Sequence, residues 1–328
     1  MQSTATLLSE RRTLSTGGRL LLTLLARLAW IATLMVVVAI ALFFMVRLIP
    51  GDPARLVAGR QATAAQVAVV RHQLGLTGSL GSQLWDYLTR LGHLDLGHSL
   101  TTGQSVTSIL AQGFTQTLEL VGLALVLMFV VSITLGIGVA ALTANGSHPK
   151  LDAVFSAVTS MGQTLPSYLA ATLFVLVFAV VLPVLPVAGN NGIQYAILPA
   201  LAISLANIAG LARVVRAETL NALSQDYAQL ARSKRLPPLA FYMRHILRNV
   251  LSTSLAMGGI FTASLLGGTI VVEGIFAWPG IGTALVQGVL NDDYPVIQGV
   301  VLSLGLLVIV LNTAIDLITR LLDPRVTR

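Results

Sequence analysis

The chain is short of charge. Only 10% of its 328 residues are Asp, Glu, Lys or Arg, against about 25% in a soluble domain, which excludes a water-facing surface over most of the molecule. Cysteine is absent, so disulfide frameworks, thiolate metal sites and cysteine nucleophiles are ruled out. No Gly-x-x-x-x-Gly-Lys-Ser/Thr run occurs, which removes a phosphate cradle of the P-loop type, and no nucleophile is paired with a base. Energy for any work must come from outside the chain. What is abundant is apolar: 55% of the residues are hydrophobic and the mean hydropathy is +0.83. A bilayer core about 30 Å thick needs roughly 20 apolar residues per helical span, so this is a membrane protein with room for several spans. The net charge of +7 does not indicate nucleic acid, because the basic residues flank apolar segments.

Arg11, Arg12, Arg19 and Arg27 precede an uncharged run from 28 to 46. That run is longer than a signal-peptide core and ends in Arg-Leu-Ile-Pro-Gly-Asp without a small-x-small cleavage site, so it reads as a retained first span. Residues 120–144 make a second. From 153 to 212 no charge occurs at all, and the Pro183 to Pro186 and Gly189-Asn-Asn-Gly192 punctuation divides that run into two spans. Pro166 and Pro199 lie inside or near span starts, where membrane helices tolerate a kink. Residues 249–272 and 296–315 complete six. With the N-terminus inside, fifteen Lys and Arg fall in inner segments and five in outer ones, all five between Arg47 and Arg90, so both termini are expected in the cytoplasm. The long outer loop after the first span carries two expected amphipathic helices, 66–74 and 83–91. The expected division is a cytoplasmic tail 1–19, a first span with its external loop 20–112, and a five-helix core 113–328.

The longest inner loop contains DYAQLARSKRLPPLAFYMRHILR, residues 226–248. Its first half, 224–234, lacks proline and glycine and is expected to be helical, with Ala228 and Ala231 on one face. The second half has apolar residues at helical spacing from Leu239 to Leu251, and Pro237-Pro238 separates the halves. Two readings stay open on the residues alone. Either two short helices present a small-residue face to another protein's groove, or a basic amphipathic loop lies on anionic lipid.

The run ARVVRAETLNALSQDYAQLARSKRL followed by RHILRN resembles the cytoplasmic "EAA" coupling loop of permease subunits in the peptide/nickel branch of ATP-binding-cassette importers. RLIPGDP, QLWDYLTRLGHLDLGHSL, LPSY, ILPAL, VVEGIFAWPGIG, DYPVIQG and LDPR follow in the family's order. The resemblance implies an all-α polytopic fold of the type I importer permease class with six transmembrane helices, in a prokaryotic inner membrane. It implies that loop 224–248 docks on a separate ATPase through Asp226, Tyr227, Ala228, Ala231, Arg232, Lys234 and Arg235. The implied partners are a second homologous permease, two cytoplasmic ATPase subunits that hold ATP and Mg, an extracytoplasmic substrate-binding protein and membrane lipid; no cofactor, metal or nucleic acid is expected on this chain. Short peptides are the leading cargo, with nickel, metal chelates, glutathione and opine-like molecules as alternatives. The sequence departs from the pattern at Arg235, where the family has glycine, at Gln229, the first glutamate position, and at Thr253, where proline is usual.

The other conspicuous residues each carry two readings. Phe276, Trp278 and Pro279 fit a folded-back loop at the outer mouth of the pathway, as the resemblance implies, or an interfacial Trp anchor before a turn. Asp292-Asp293-Tyr294 fits a contact for a binding protein or a solvated acidic loop. Glu119 and Asp316 mark a pathway or sit solvated at span ends. His72, His93 and His98 lack the spacing of a metal cluster. A secondary transporter, the competing class, calls for inverted repeats or mid-membrane acids, and neither is visible.

Overall fold

The structure, a computed structural model, describes residues 16–48, 52–59, 61–233 and 237–322. It divides into two units, residues 1–93 and 94–328. In the first, the long helix α1 (Thr16–Arg47) is followed by α2 (Pro53–Ala58), α3 (Ala64–Gln73) and α4 (Leu80–Gly92). Each short helix starts where a side chain satisfies its orphan amides. Asp52 Oδ1 accepts from Ala54 N at 3.1 Å, Thr63 and Gln66 form a reciprocal capping box, and Ser79 caps α4. The two helices expected in this loop are α3 and α4, of which only α4 separates apolar from polar faces; α3 buries no residue. At the end of α1 the Arg47 guanidinium lies 3.4 Å from the Phe43 ring centroid and donates to Gln83 Oε1 of α4 at 2.7 Å.

The second unit contains α5 (Val106–Thr143), α6 (Pro149–Thr164), α7 (Ser167–Phe174) with a wider π turn over Val175–Val181, and α8 (Ile193–Ser224). Then come α9 (Asp226–Ser233), α10 (Pro238–Phe241) running through a π turn (Tyr242–Ile246) into α11 (Leu247–Ile275), α12 (Ile281–Leu290) and α13 (Tyr294–Leu322). Among the described residues no strand forms; one isolated bridge joins His98 and Ser105.

Five helices are long and apolar enough to cross a membrane: Leu25–Arg47, Val106–Thr143, Ile193–Ser224, Pro238–Ile275 and Tyr294–Thr319. The third expected span is broken. Pro149–Thr164 and Ser167–Val181 meet at 105°, a far larger deflection than the kink expected at Pro166. Leu165 is extended there (φ −79°, ψ 113°), as a residue before proline prefers. Pro199 leaves α8 unbroken, and α11 runs on through Thr253.

α8 is the hub. Two thirds (67%) of its apolar stretch is buried within the chain, against 22% to 33% for the other spans. Small residues permit the close approach that membrane helices use in place of a hydrophobic driving force. A methyl group on Gly136 of α5 would stand 2.6 Å from Val215 Cβ of α8, and Ser132 Oγ donates across the same contact to the Ile208 carbonyl at 3.1 Å.

Candidate coupling surface and outer-loop site

α8 ends at Ser224, and Gln225 turns extended (ψ 152°). The chain re-enters a helix at once as α9, with Asp226 in its first turn, where a negative charge complements the helix dipole. Ala228 (0% exposed) and Ala231 (5%) belong to one buried cluster with Phe241, Ile246 and Val250. The small-residue face expected to point at a partner thus points inward, because two methyl side chains let α9 lie close against α8 and the π turn Tyr242–Ile246. What α9 presents instead is Leu230, 65% exposed, with Tyr227 and the exposed Asp226 and Gln229. Tyr227 is held in place by Asn249 of α11, whose Nδ2 donates to its hydroxyl at 2.6 Å. Leu239 and Met243 extend the apolar exposure past the two prolines. The Arg232 side chain, Lys234 and Arg235 lie outside the described residues.

On the other side of α11, Phe276 and Trp278 are each 1% exposed and Pro279 is exposed. Trp278 is no interfacial anchor: its Nε1 donates to the Gln116 carbonyl of α5 at 3.0 Å. The loop folds back tightly. Ala277 has a left-handed φ of 47°, Trp278 N donates to the Glu273 carbonyl at 2.8 Å, and Gly189 N donates to the Phe276 carbonyl at 2.9 Å.

Glu273 holds this turn, and the sequence reading passed over it. Its side chain is fully buried. Oε1 accepts from Thr117 Oγ1 of α5 at 2.6 Å and Oε2 from Thr283 N at 3.1 Å, while Thr117 Oγ1 in turn accepts from Ile281 N at 2.9 Å. A carboxylate and a hydroxyl thereby satisfy two first-turn amides of α12, the favourable place for negative charge. Glycine is required beside it: a Cβ on Gly282 would meet Glu273 Oε2 at 2.7 Å, and one on Gly280 would run into the same carboxylate. The legible signal was the glutamate of VVEGIFAWPGIG, an acid ahead of a glycine-flanked helix start.

Asp293 performs a similar task after α12. It is 2% exposed and accepts from Ser99 Oγ at 2.5 Å, Leu100 N at 3.1 Å and Thr101 Oγ1 at 2.9 Å. Asp292 alone of the Asp292-Asp293-Tyr294 run is exposed, so neither reading of this run as an exposed acidic loop holds for Asp293. Glu119 and Asp316 are exposed on α5 and α13. His93 closes α4, its Nδ1 2.8 Å from the Thr89 carbonyl. No group of three or more His, Asp or Glu that could hold a metal occurs among the described residues.

The second unit is thus a bundle of apolar helices around α8, with α9 seated on it and the loop before α12 anchored to α5. Residues 132–328 match the family described as binding-protein-dependent transport system inner membrane component, and residues 20–134 match the N-terminal membrane component of such systems. The chain is 36% identical over 311 residues to a putative peptide transport system permease protein of Brucella abortus, covering 92% of this chain and 98% of that one. It is 36% identical over 302 residues to the glutathione transport system permease protein GsiC of Salmonella typhimurium, covering 92% and 97%. Among solved structures, an inward-facing methionine ABC transporter, MetNI, shares the fold with a TM-score of 0.58 at 18% identity, over 66% of this chain and 97% of that one. The chain belongs to the family of inner-membrane components of binding-protein-dependent transport systems, the permease subunits of ABC importers.

Proposed function

We propose that this chain is the permease of an importer for short peptides, with both termini in the cytoplasm. It forms half of the pathway beside a second permease, receives cargo from an external binding protein, and is driven by two cytoplasmic ATPase subunits that carry ATP and Mg. The observation that carries this reading is the 36% identity to a peptide transport permease over 92% of the chain. Glutathione, itself a tripeptide, is the second cargo, favoured by the equal identity to the GsiC proteins.

The coupling role falls to α9. A short helix that is seated on the bundle through Ala228 and Ala231 and turns Leu230 and Tyr227 outward offers a knob for a groove in the ATPase. The residues proposed to transmit its movement remain Asp226, Tyr227, Ala228, Ala231, Arg232, Lys234 and Arg235, the two alanines by seating the helix. Phe276, Trp278 and Pro279 are proposed to shape the outer mouth. Nucleotide drives the cycle only by binding the two states of the assembly with different affinity.

The test is uptake in proteoliposomes holding this chain, its sister permease, the ATPases and the binding protein. ATP-dependent accumulation of labelled di- and oligopeptides is expected, with glutathione as the comparison. Accumulation of nickel alone would displace the peptide reading, and uptake by this chain alone under a proton or sodium gradient would displace the ATP-driven one.

A further inference from the structure

The break in the third span and the cation beside it point to where the pathway runs. The eight residues of α7 and the seven of its π turn rise about 22 Å, less than the hydrocarbon thickness of about 30 Å. With the far end of the π turn at one membrane boundary, that length places the Leu165-Pro166 break at hydrocarbon depth. It is not covered by the chain's own packing, since Gln163, Thr164 and Pro166 are exposed. Non-helical backbone at membrane depth is stable only where protein covers it or where it lines a water-filled cavity.

The exposed surface of α6 is itself divided. Ser156, Ser160, Gln163 and Thr164 fall on one stripe at helical spacing, and Val154, Val158 and Met161 on an adjacent one; all seven are exposed. Arg213 of α8 adjoins the polar stripe. Its Nη1 donates to Gln163 Oε1 at 3.1 Å and reaches Ser160 Oγ at 3.5 Å. Both partners are neutral, and Arg213 forms no ion pair among the described residues, whereas Arg216 one turn on is paired with Asp152 at 2.5 Å. Side chains on a helix lean toward its N-terminus, which directs Arg213 from the inner end of α8 back toward the break. An exposed, unneutralised cation on a polar stripe is unsuited to lipid, and such residues face cavities and substrate paths.

We infer that the face carrying Ser156, Ser160, Gln163, Thr164 and Arg213 lines the aqueous pathway in the inner half of the membrane, and that Arg213 is the contact there for an anionic oxygen group on the cargo. A peptide carboxylate has that chemistry, so the cargo assignment rests on the proposed function. Arg213 supplies a transient counter-charge to a carboxylate leaving the binding protein's site, and Gln163 and Ser160 hold the guanidinium toward the pathway.

The native chain has no cysteine and reports the background in a thiol-labelling test on the assembled transporter. Ser160→Cys and Gln163→Cys are expected to react with small charged methanethiosulfonate reagents, and Val158→Cys to stay inert. At Ser160→Cys, with each rate divided by that reagent's rate toward a small free thiol, the anionic ethylsulfonate reagent is expected to be favoured roughly fivefold over the cationic ethyltrimethylammonium reagent, as a nearby positive charge in a partly aqueous site dictates. Arg213→Gln should abolish that preference and Arg213→Lys preserve it. Inert cysteines at both polar positions, or equal normalised rates with the two reagents, would overturn the inference. A preference that appears only after anionic phospholipid is exchanged for zwitterionic lipid would show that a headgroup occupies Arg213 and overturn it as well. The rate ratio requires only the assembled complex, so it stays readable even if the complex imports no peptide and the cargo reading fails.

Discussion

Glu273 and its two glycines hold the turn ahead of α12. Replacing Glu273 by Leu leaves Thr283 N and the Thr117 hydroxyl without an acceptor, at a cost of about 2 to 4 kcal/mol for two unpaired buried groups. Thermal denaturation of the purified assembly should show the loss. Gly282→Ala should be harmful in the same assay, because the added methyl meets Ile270 Cα at 2.8 Å, while Gly274→Ala, with nothing within 4 Å, should be tolerated. Tyr87 gives a second check at this scale. Its hydroxyl is buried without a partner, and burial pushes its pKa up to about 12, with Arg90 and Arg47 pulling the other way. The folded chain keeps this proton to higher pH than the unfolded chain does. Stability is therefore unaffected below the ordinary value near 10 and falls between there and about 12. Denaturation followed against pH should show that alkaline loss in the native protein and a smaller one in Tyr87→Phe, which at neutral pH should lie within about 1 kcal/mol of native. The sequence displayed all these residues, but the burial of Glu273 and Asp293 depends on contacts with Thr117 and Ser99, more than 150 positions away. No local pattern records such contacts.

Among the elements, α9 shows where periodicity informs and where it stops. The spacing of Ala228 and Ala231 correctly puts them on one face, and Pro237-Pro238 does separate two helices. Periodicity does not say whether a small-residue face is meant for a partner or for the chain's own bundle; here Phe241, Ile246 and Val250 decide it. The consequence is a reversal of the obvious mutagenesis. Ala231→Glu should damage assembly, since it forces a charge into the seat of α9, so it cannot test coupling alone. Leu230→Glu, on the outward side, should leave the subunit inserted and assembled while binding-protein-stimulated ATPase activity falls at least several-fold. Normal stimulation in that variant would remove α9 from the coupling role. The third span was legible as an apolar run and its proline was noted, yet its 105° bend was not. Hydropathy records where apolar residues lie and is silent on whether the helix carrying them stays straight.

At the scale of the whole molecule, composition carries most of the information. The shortage of charge identifies the solvent as a bilayer, and the distribution of fifteen Lys and Arg against five is the ground on which the positive-inside rule predicts cytoplasmic termini. The coupling role proposed for α9 presupposes that orientation, because an ATPase can grip α9 only from the cytoplasm. The cysteine-free background makes it directly measurable. Ser99 is unsuitable for labelling, being sealed under Asp293, whereas Thr102, Asn190 and Leu230 are exposed. Single cysteines at these three positions, treated in intact cells with a membrane-impermeant thiol reagent, test the orientation and the coupling role together. Labelling at Thr102→Cys and Asn190→Cys from outside, with Leu230→Cys labelled only after permeabilisation, is the expected result. Labelling of Leu230→Cys in intact cells would place α9 on the wrong side of the membrane and contradict its role as the link to the ATPases.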